Sequence, residues 1–123
     1  RFHNNKANYI VQARKFLNIK EIINPYEDQQ KRQWLVDHVK GLGFKEASHF
    51  LRNTGTTSLA ILDRHILNLM VEQNIITEKP KTVTKNKYLE LEKKLIPLCK
   101  KLKMNQAELD LYLWYLKTNK VLK

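Results

Sequence analysis

Val39-Lys40-Gly41-Leu42-Gly43-Phe44-Lys45-Glu46-Ala47 decides how this chain is read. Two glycines separated by one residue lie between two runs with helical spacing. Glycine reaches positive φ without penalty and has no side chain to block a close approach. A Gly-x-Gly corner that opens a helix presents backbone N–H groups lacking intrahelical partners, and the helix N-terminus adds partial positive charge. A phosphate fits such a corner. From the glycines alone, a plain turn between two helices fits equally well. No strand precedes them, so a dinucleotide-binding fingerprint is set aside.

Working outward, Ala47, Phe50 and Leu51 fall at i, i+3, i+4 and mark the core face of the helix that leaves the corner. Lys45, His49 and Arg52 fall on another face at i, i+4, i+7. A cation is electrostatically misplaced in the first turn of a helix, where carboxylates are favoured. Positive potential there favours a neutral, nucleophilic amine. Surface charge is the plainer reading of one early-helix lysine. Upstream, Glu27 to His38 reads as the helix entering the corner, with Trp34, Leu35 and Val39 as apolar contacts and Glu27 and Asp28 in its first turn. Downstream, Asn53 to Ser58 reads as helix stop and loop. Leu59-Ala60-Ile61-Leu62 is an extended or buried apolar run. Asp63 then precedes Ile66, Leu67, Met70 and Val71 at helical spacing, which suits it to cap that helix. Capping alone explains Asp63, and it is compatible with a second role because a cap fixes the carboxylate in place.

Lys40 to Asn53, followed by Ala60-Ile61-Leu62-Asp63-Arg64-His65-Ile66-Leu67, resembles the helix-hairpin-helix DNA glycosylase superfamily. Within it, the chain is most similar to the archaeal-type (type 2) 8-oxoguanine DNA glycosylase/lyases. Leu109-Asp110-Leu111-Tyr112-Leu113-Trp114-Tyr115 and the closing Lys120-Val121-Leu122-Lys123 fit the same branch. The resemblance implies an all-α fold, one helical domain over residues 1–123 with its hairpin at about 34–53. It implies a bifunctional enzyme that excises 8-oxoguanine through a lysine Schiff base and cleaves the strand by β-elimination. It assigns Lys45 as nucleophile and Asp63 as the carboxylate that stabilises positive charge at the sugar. Gly41, Gly43 and His65 match DNA-backbone contacts, and Phe2, Trp114 and Lys123 match the base pocket. No metal or other cofactor is implied. The partner is double-stranded DNA carrying 8-oxoguanine, bound by a monomer. Two positions depart from the superfamily pattern: Lys40 stands where proline often precedes the first glycine, and only Gly55 remains of a commonly Gly/Pro-rich loop before the aspartate. The rival readings are a non-enzymatic DNA-binding helix-hairpin-helix module and a monofunctional glycosylase using water in place of Lys45.

Composition agrees with a polyanionic partner. Across 123 residues, 23 Lys and Arg against 12 Asp and Glu leave a formal charge of +11, which favours nucleic acid or an anionic membrane surface. No apolar run approaches a membrane span. The single Cys99 excludes an internal disulfide and a four-cysteine cluster, and points to an intracellular protein of the cytoplasm or nucleoid. The chain opens on Arg1, and the resembled family carries upstream helices, so a C-terminal portion of a longer protein is expected.

The remaining segments read as helices and one connector. Asn4 or Asn5 caps a first helix through Ala7, Ile10, Val11, Ala13, Phe16 and Leu17, and Ile19, Ile22 and Ile23 form a short piece ended by Asn24-Pro25. Asn74 to Lys87, with Lys79, Pro80, Lys81, Lys85 and Lys87, reads as a polar connector, a charge run of the kind usually solvated and less often facing DNA. Tyr88, Leu91, Leu95, Leu98 and Leu102 mark a long amphipathic helix in which Pro97 predicts a kink or break. Asn105 with Glu108 forms a capping box that opens a last helix to about Leu116. Asp110 and Trp114 share a face of it, and on general grounds a tryptophan there belongs to the core.

Overall fold

A computed structural model describes residues 19–118. Phe2, Lys123 and the expected helix over residues 7–17 lie outside them. Six helices occur among the described residues: α1 (Ile19–Ile23), α2 (Asp28–His38), α3 (Phe44–Asn53), α4 (Arg64–Glu72), α5 (Lys85–Leu102) and α6 (Gln106–Thr118). No strand is present among those residues, and no helix there is long and apolar enough to cross a membrane.

Local chemistry sets the helix ends. Asp63 caps α4, its Oδ1 accepting the Ile66 N–H at 2.9 Å, as its place before the apolar periodicity predicts. The Asn105/Glu108 box is formed in both directions at 3.0 and 2.8 Å. Thr84 caps α5 by accepting the Lys87 N–H, so the expected connector gives way to helix three residues before Tyr88. Helix α5 runs unbroken through Pro97, against the expectation of a break. Pro97 and Lys93 are both exposed residues, on the side of α5 where water can reach a carbonyl left without its i+4 donor, which lowers the cost of the missing hydrogen bond.

Two apolar clusters form the core. Ile23, Leu35, Val39, Ala47, Leu51 and Leu59 bind the α2–α3 hairpin to α1. Leu62, Leu67, Met70, Tyr88, Leu91, Leu95, Leu109 and Leu113, with their neighbours, join α4, α5 and α6. Periodicity anticipated most of these positions.

A buried ionic network joins the hairpin to the α5 side of the core, and hydrophobic periodicity gave no sign of it. Arg32 on α2 is fully buried and meets Glu92 of α5 at 2.8 Å. Glu92 accepts both guanidinium Nη groups and also the Ala60 N–H at 2.7 Å. The Tyr88 hydroxyl donates to the Ala60 carbonyl at 2.6 Å and accepts the Leu62 N–H at 3.1 Å. Glu92 and Tyr88 thus hold the irregular segment that delivers Asp63. Glu92→Ala leaves Arg32 buried without its counter-charge, so a loss of about 3–5 kcal/mol in unfolding free energy is expected. Urea denaturation measures it, and a loss under about 1 kcal/mol would contradict this account.

Candidate active site

The hairpin corner forms as its glycines require. Gly41 has φ of 91°, in the left-handed region that favours glycine. Gly43 is the N-cap of α3, and its N–H donates to Glu46 Oε1 at 3.1 Å. Leu42 donates its N–H back to the Val39 carbonyl at 3.2 Å. Lys45 follows in the first turn of α3 with its side chain half exposed, 3.9 Å from Glu46 Oε2. The opposite face of α3 buries Ala47, Ser48 and Leu51, which turns Lys45 and His49 outward.

Two cavities meet at this surface, and Lys45 and Asp63 line both. One, of about 360 Å³, is walled by Lys45, His49, Ile61, Asp63, Ile66, Asp110, Leu111 and Trp114. The other, of about 400 Å³, includes Gly43, Glu46, Arg64, Lys79, Pro80 and Lys81 with the same pair. Lysine and carboxylate therefore line both open spaces, although they stand 18 positions apart in sequence. A larger cavity of about 560 Å³ opens beside Leu89, Lys93, Ile96, Cys99 and Gln106. Its chemistry is spent: Glu92 is bound to Arg32 and the Ala60 N–H, and burial pushes the Cys99 thiol above its ordinary pKa, which suppresses the thiolate nucleophile.

Trp114 is 37% exposed, so the expectation of a core tryptophan is not met. Helix α6 buries Leu109 and Leu113 instead, and this turns Trp114 to the cavity rim. His65, in the first turn of α4, packs its ring edge-on to Trp114 at a centroid distance of 5.2 Å. Of the eight residues assigned by sequence, Lys45, Asp63 and Trp114 share one cavity; Gly43 lines the second; Gly41 shapes the corner; His65 touches Trp114. Phe2 and Lys123 lie outside the described residues.

Sequence reasoning gave no role to His49 and Asp110, which complete the Trp114 cavity. Spacing held the signal, since His49 is one turn beyond Lys45 and Asp110 one turn before Trp114. Arg52 binds Asp110 Oδ2 at 2.9 Å and the Leu59 carbonyl at 2.7 Å. This ties α3, the segment leading to Asp63, and α6 into one frame. Burial raises the Asp110 pKa, and the hydrogen bond from Arg52 opposes the rise. No cluster of His, Cys, Asp and Glu suited to a metal occurs among the described residues.

An all-helical chain folded about a Gly-x-Gly hairpin, with a lysine and a capping aspartate on one cavity wall, defines a helix-hairpin-helix fold of the DNA glycosylase type. The family model for 8-oxoguanine DNA glycosylase (Ogg-HhH) matches residues 1–104. The chain belongs to this family. It is 51% identical over 124 residues to an 8-oxoguanine DNA glycosylase/AP lyase of Methanocaldococcus jannaschii, an alignment covering 100% of this chain and 60% of that relative. A Fusobacterium nucleatum protein of the same name is 46% identical, with 94% and 57% covered. Among solved structures, the Methanocaldococcus jannaschii glycosylase/lyase in complex with a 15mer DNA containing 8-oxoguanine superposes with a TM-score of 0.91 at 50% identity. That match covers 100% of this chain and 60% of the other. The 8-oxoguanine DNA glycosylase of Thermotoga maritima gives a TM-score of 0.84 at 44% identity, covering 94% and 55%. The chain spans about 60% of the length of the curated relatives it matches.

Proposed function

We propose that this chain carries the catalytic hairpin of a bifunctional DNA glycosylase/AP lyase that removes 8-oxoguanine from duplex DNA. The observation that carries the reading is the pairing of Lys45 and Asp63 on one cavity wall, within a chain of the 8-oxoguanine DNA glycosylase family. A base inside the stack is out of reach, so the target nucleotide is extruded. Its base enters the cavity of Trp114, Asp110 and His49, with Phe2 and Lys123 assigned to the same pocket by resemblance. The Lys45 amine attacks C1′ as the bond from C1′ to the base breaks, and the base leaves with the bonding electrons. The Asp63 carboxylate stabilises the positive charge that develops on the sugar. Ring opening converts the adduct to a Schiff base. Loss of a 2′ proton then expels the 3′ phosphate and cleaves the strand, and water releases the lysine. The hairpin at Gly41 and Gly43 holds a backbone phosphate, which replaces Glu46 at the Gly43 N–H, while His65 serves as a further backbone contact.

The test is borohydride reduction during reaction of the natural full-length protein with an 8-oxoguanine duplex. A stable protein–DNA adduct is expected. Excision with no adduct would instead support direct attack by water, and binding with no excision a non-enzymatic module.

Trp114 gives a separate prediction. If it stacks on the extruded base, Trp114→Ala lowers excision about ten- to a hundredfold, the scale of one base–aromatic stacking interaction. Lyase activity on an abasic duplex, which has no base to stack, changes far less. Equal losses in both assays, with a lowered melting temperature, would identify Trp114 as a packing residue.

A further inference from the structure

The segment Lys79-Pro80-Lys81 reads in sequence as a charged connector, solvated or less often DNA-facing, and the fold carries it to the hairpin. Lys79, Pro80 and Lys81 line the 400 Å³ cavity together with Arg64, Gly43, Glu46, Lys45 and Asp63. We propose that Lys79, Lys81 and Arg64 form a second grip on the DNA backbone, binding phosphodiester oxygens of the strand that carries the target nucleotide. The inference rests on the glycosylase reading for the direction of the sugar.

Charge accounting favours an anion here. Neither Lys79, Lys81 nor Arg64 makes an ion pair among the described residues. The two acids of the same lining, Asp63 and Glu46, accept the Ile66 and Gly43 N–H groups and keep their charge. Three cations against two carboxylates leave the lining of this space net positive, a potential that a phosphate neutralises. Geometry gives the same direction. A nucleotide joins its base to C1′ and its phosphates to the 3′ and 5′ positions, on other sides of the sugar. With the base directed to Trp114 and C1′ at the Lys45/Asp63 wall, the phosphates are directed to the cavity beyond that wall. Pro80 fixes φ between the two lysines, which lowers the entropy lost when the loop binds.

The experiment is the salt dependence of affinity for a duplex with a tetrahydrofuran abasic analogue, which the lyase cannot cleave, followed by fluorescence anisotropy between about 50 and 200 mM salt. Lys79→Ala/Lys81→Ala is expected to make the slope of log K against log salt shallower by about 1.8, at ~0.9 for each phosphate no longer neutralised. Lys79→Arg/Lys81→Arg retains the wild-type slope, because the positive charge is kept. Lys100→Ala/Lys101→Ala removes the same charge about 18 Å further along α5 from Tyr88 and leaves the slope near wild type. An unchanged slope in the Lys79/Lys81 alanine pair, or an equal change in both alanine pairs, would overturn the proposal by reducing these lysines to diffuse surface charge. Anisotropy reads binding alone, so a failure here is distinct from a failure of the wild-type protein to excise 8-oxoguanine.

Discussion

Lys45→Gln is expected to eliminate the borohydride-trapped adduct and strand cleavage, lowering turnover on the order of 10⁴- to 10⁶-fold, the scale of a missing nucleophile. Glutamine keeps much of the side-chain length and its polarity but has no amine to form a Schiff base. Lys45 is half exposed, and its one ion pair, to Glu46 at 3.9 Å, is a surface contact worth little to the fold. Stability therefore stays near wild type, and duplex affinity falls only by one charge among many. This separation identifies chemistry: a residue that acts through packing would lower melting temperature and activity together. A Lys45→Gln protein that still forms the adduct would end the lysine Schiff-base reading, whatever its effect on rate.

Asp63→Asn is expected to lower excision about 10²- to 10³-fold, the scale of one electrostatic interaction removed from a transition state. The substitution separates the two roles of the residue. Asparagine caps a helix about as well as aspartate, so the bond from the Ile66 N–H, 2.9 Å in the native protein, keeps an acceptor, and α4 keeps its start. The charge that the proposed mechanism directs at C1′ is what disappears. Thermal melts within about 1 kcal/mol of wild type, together with retained binding of 8-oxoguanine duplex and a large loss of single-turnover excision, are the expected set. Nearly full activity would show that Asp63 serves the helix alone.

Both predictions depend on a frame that neither residue builds. Tyr88 and Glu92 hold Ala60 and Leu62, just before Asp63, while Arg52 fastens α3 to Leu59 and to Asp110 on α6. The lysine helix and the aspartate cap are thereby held together from three directions. A nucleophile and a charge-stabilising carboxylate need such mutual fixation, because catalysis falls steeply when reacting groups drift by about 1 Å.

By itself, the sequence determined what local chemistry can dictate. The Gly41/Gly43 corner, the Asp63 cap, the Asn105/Glu108 box and the apolar faces of α3, α4 and α5 all express short-range rules of hydrogen bonding and burial, legible within a few residues of chain. The resemblance added roles for Lys45 and Asp63 that local chemistry alone left open between catalysis, surface charge and capping. Only the tertiary structure decided which distant residues share a space. No local pattern gives Arg32 a partner; Glu92, 60 positions away, neutralises it in the core. Trp114 reads as core until Leu109 and Leu113 take the buried positions of α6. The Pro97 helix continues with Pro97 and Lys93 on its exposed side, a fact about orientation that no local pattern contains. Lys79 and Lys81 acquire a direction only when the connector folds back on the hairpin. Such pairings are set by how helices pack across the core, and long-range contacts leave no period in the chain that forms them.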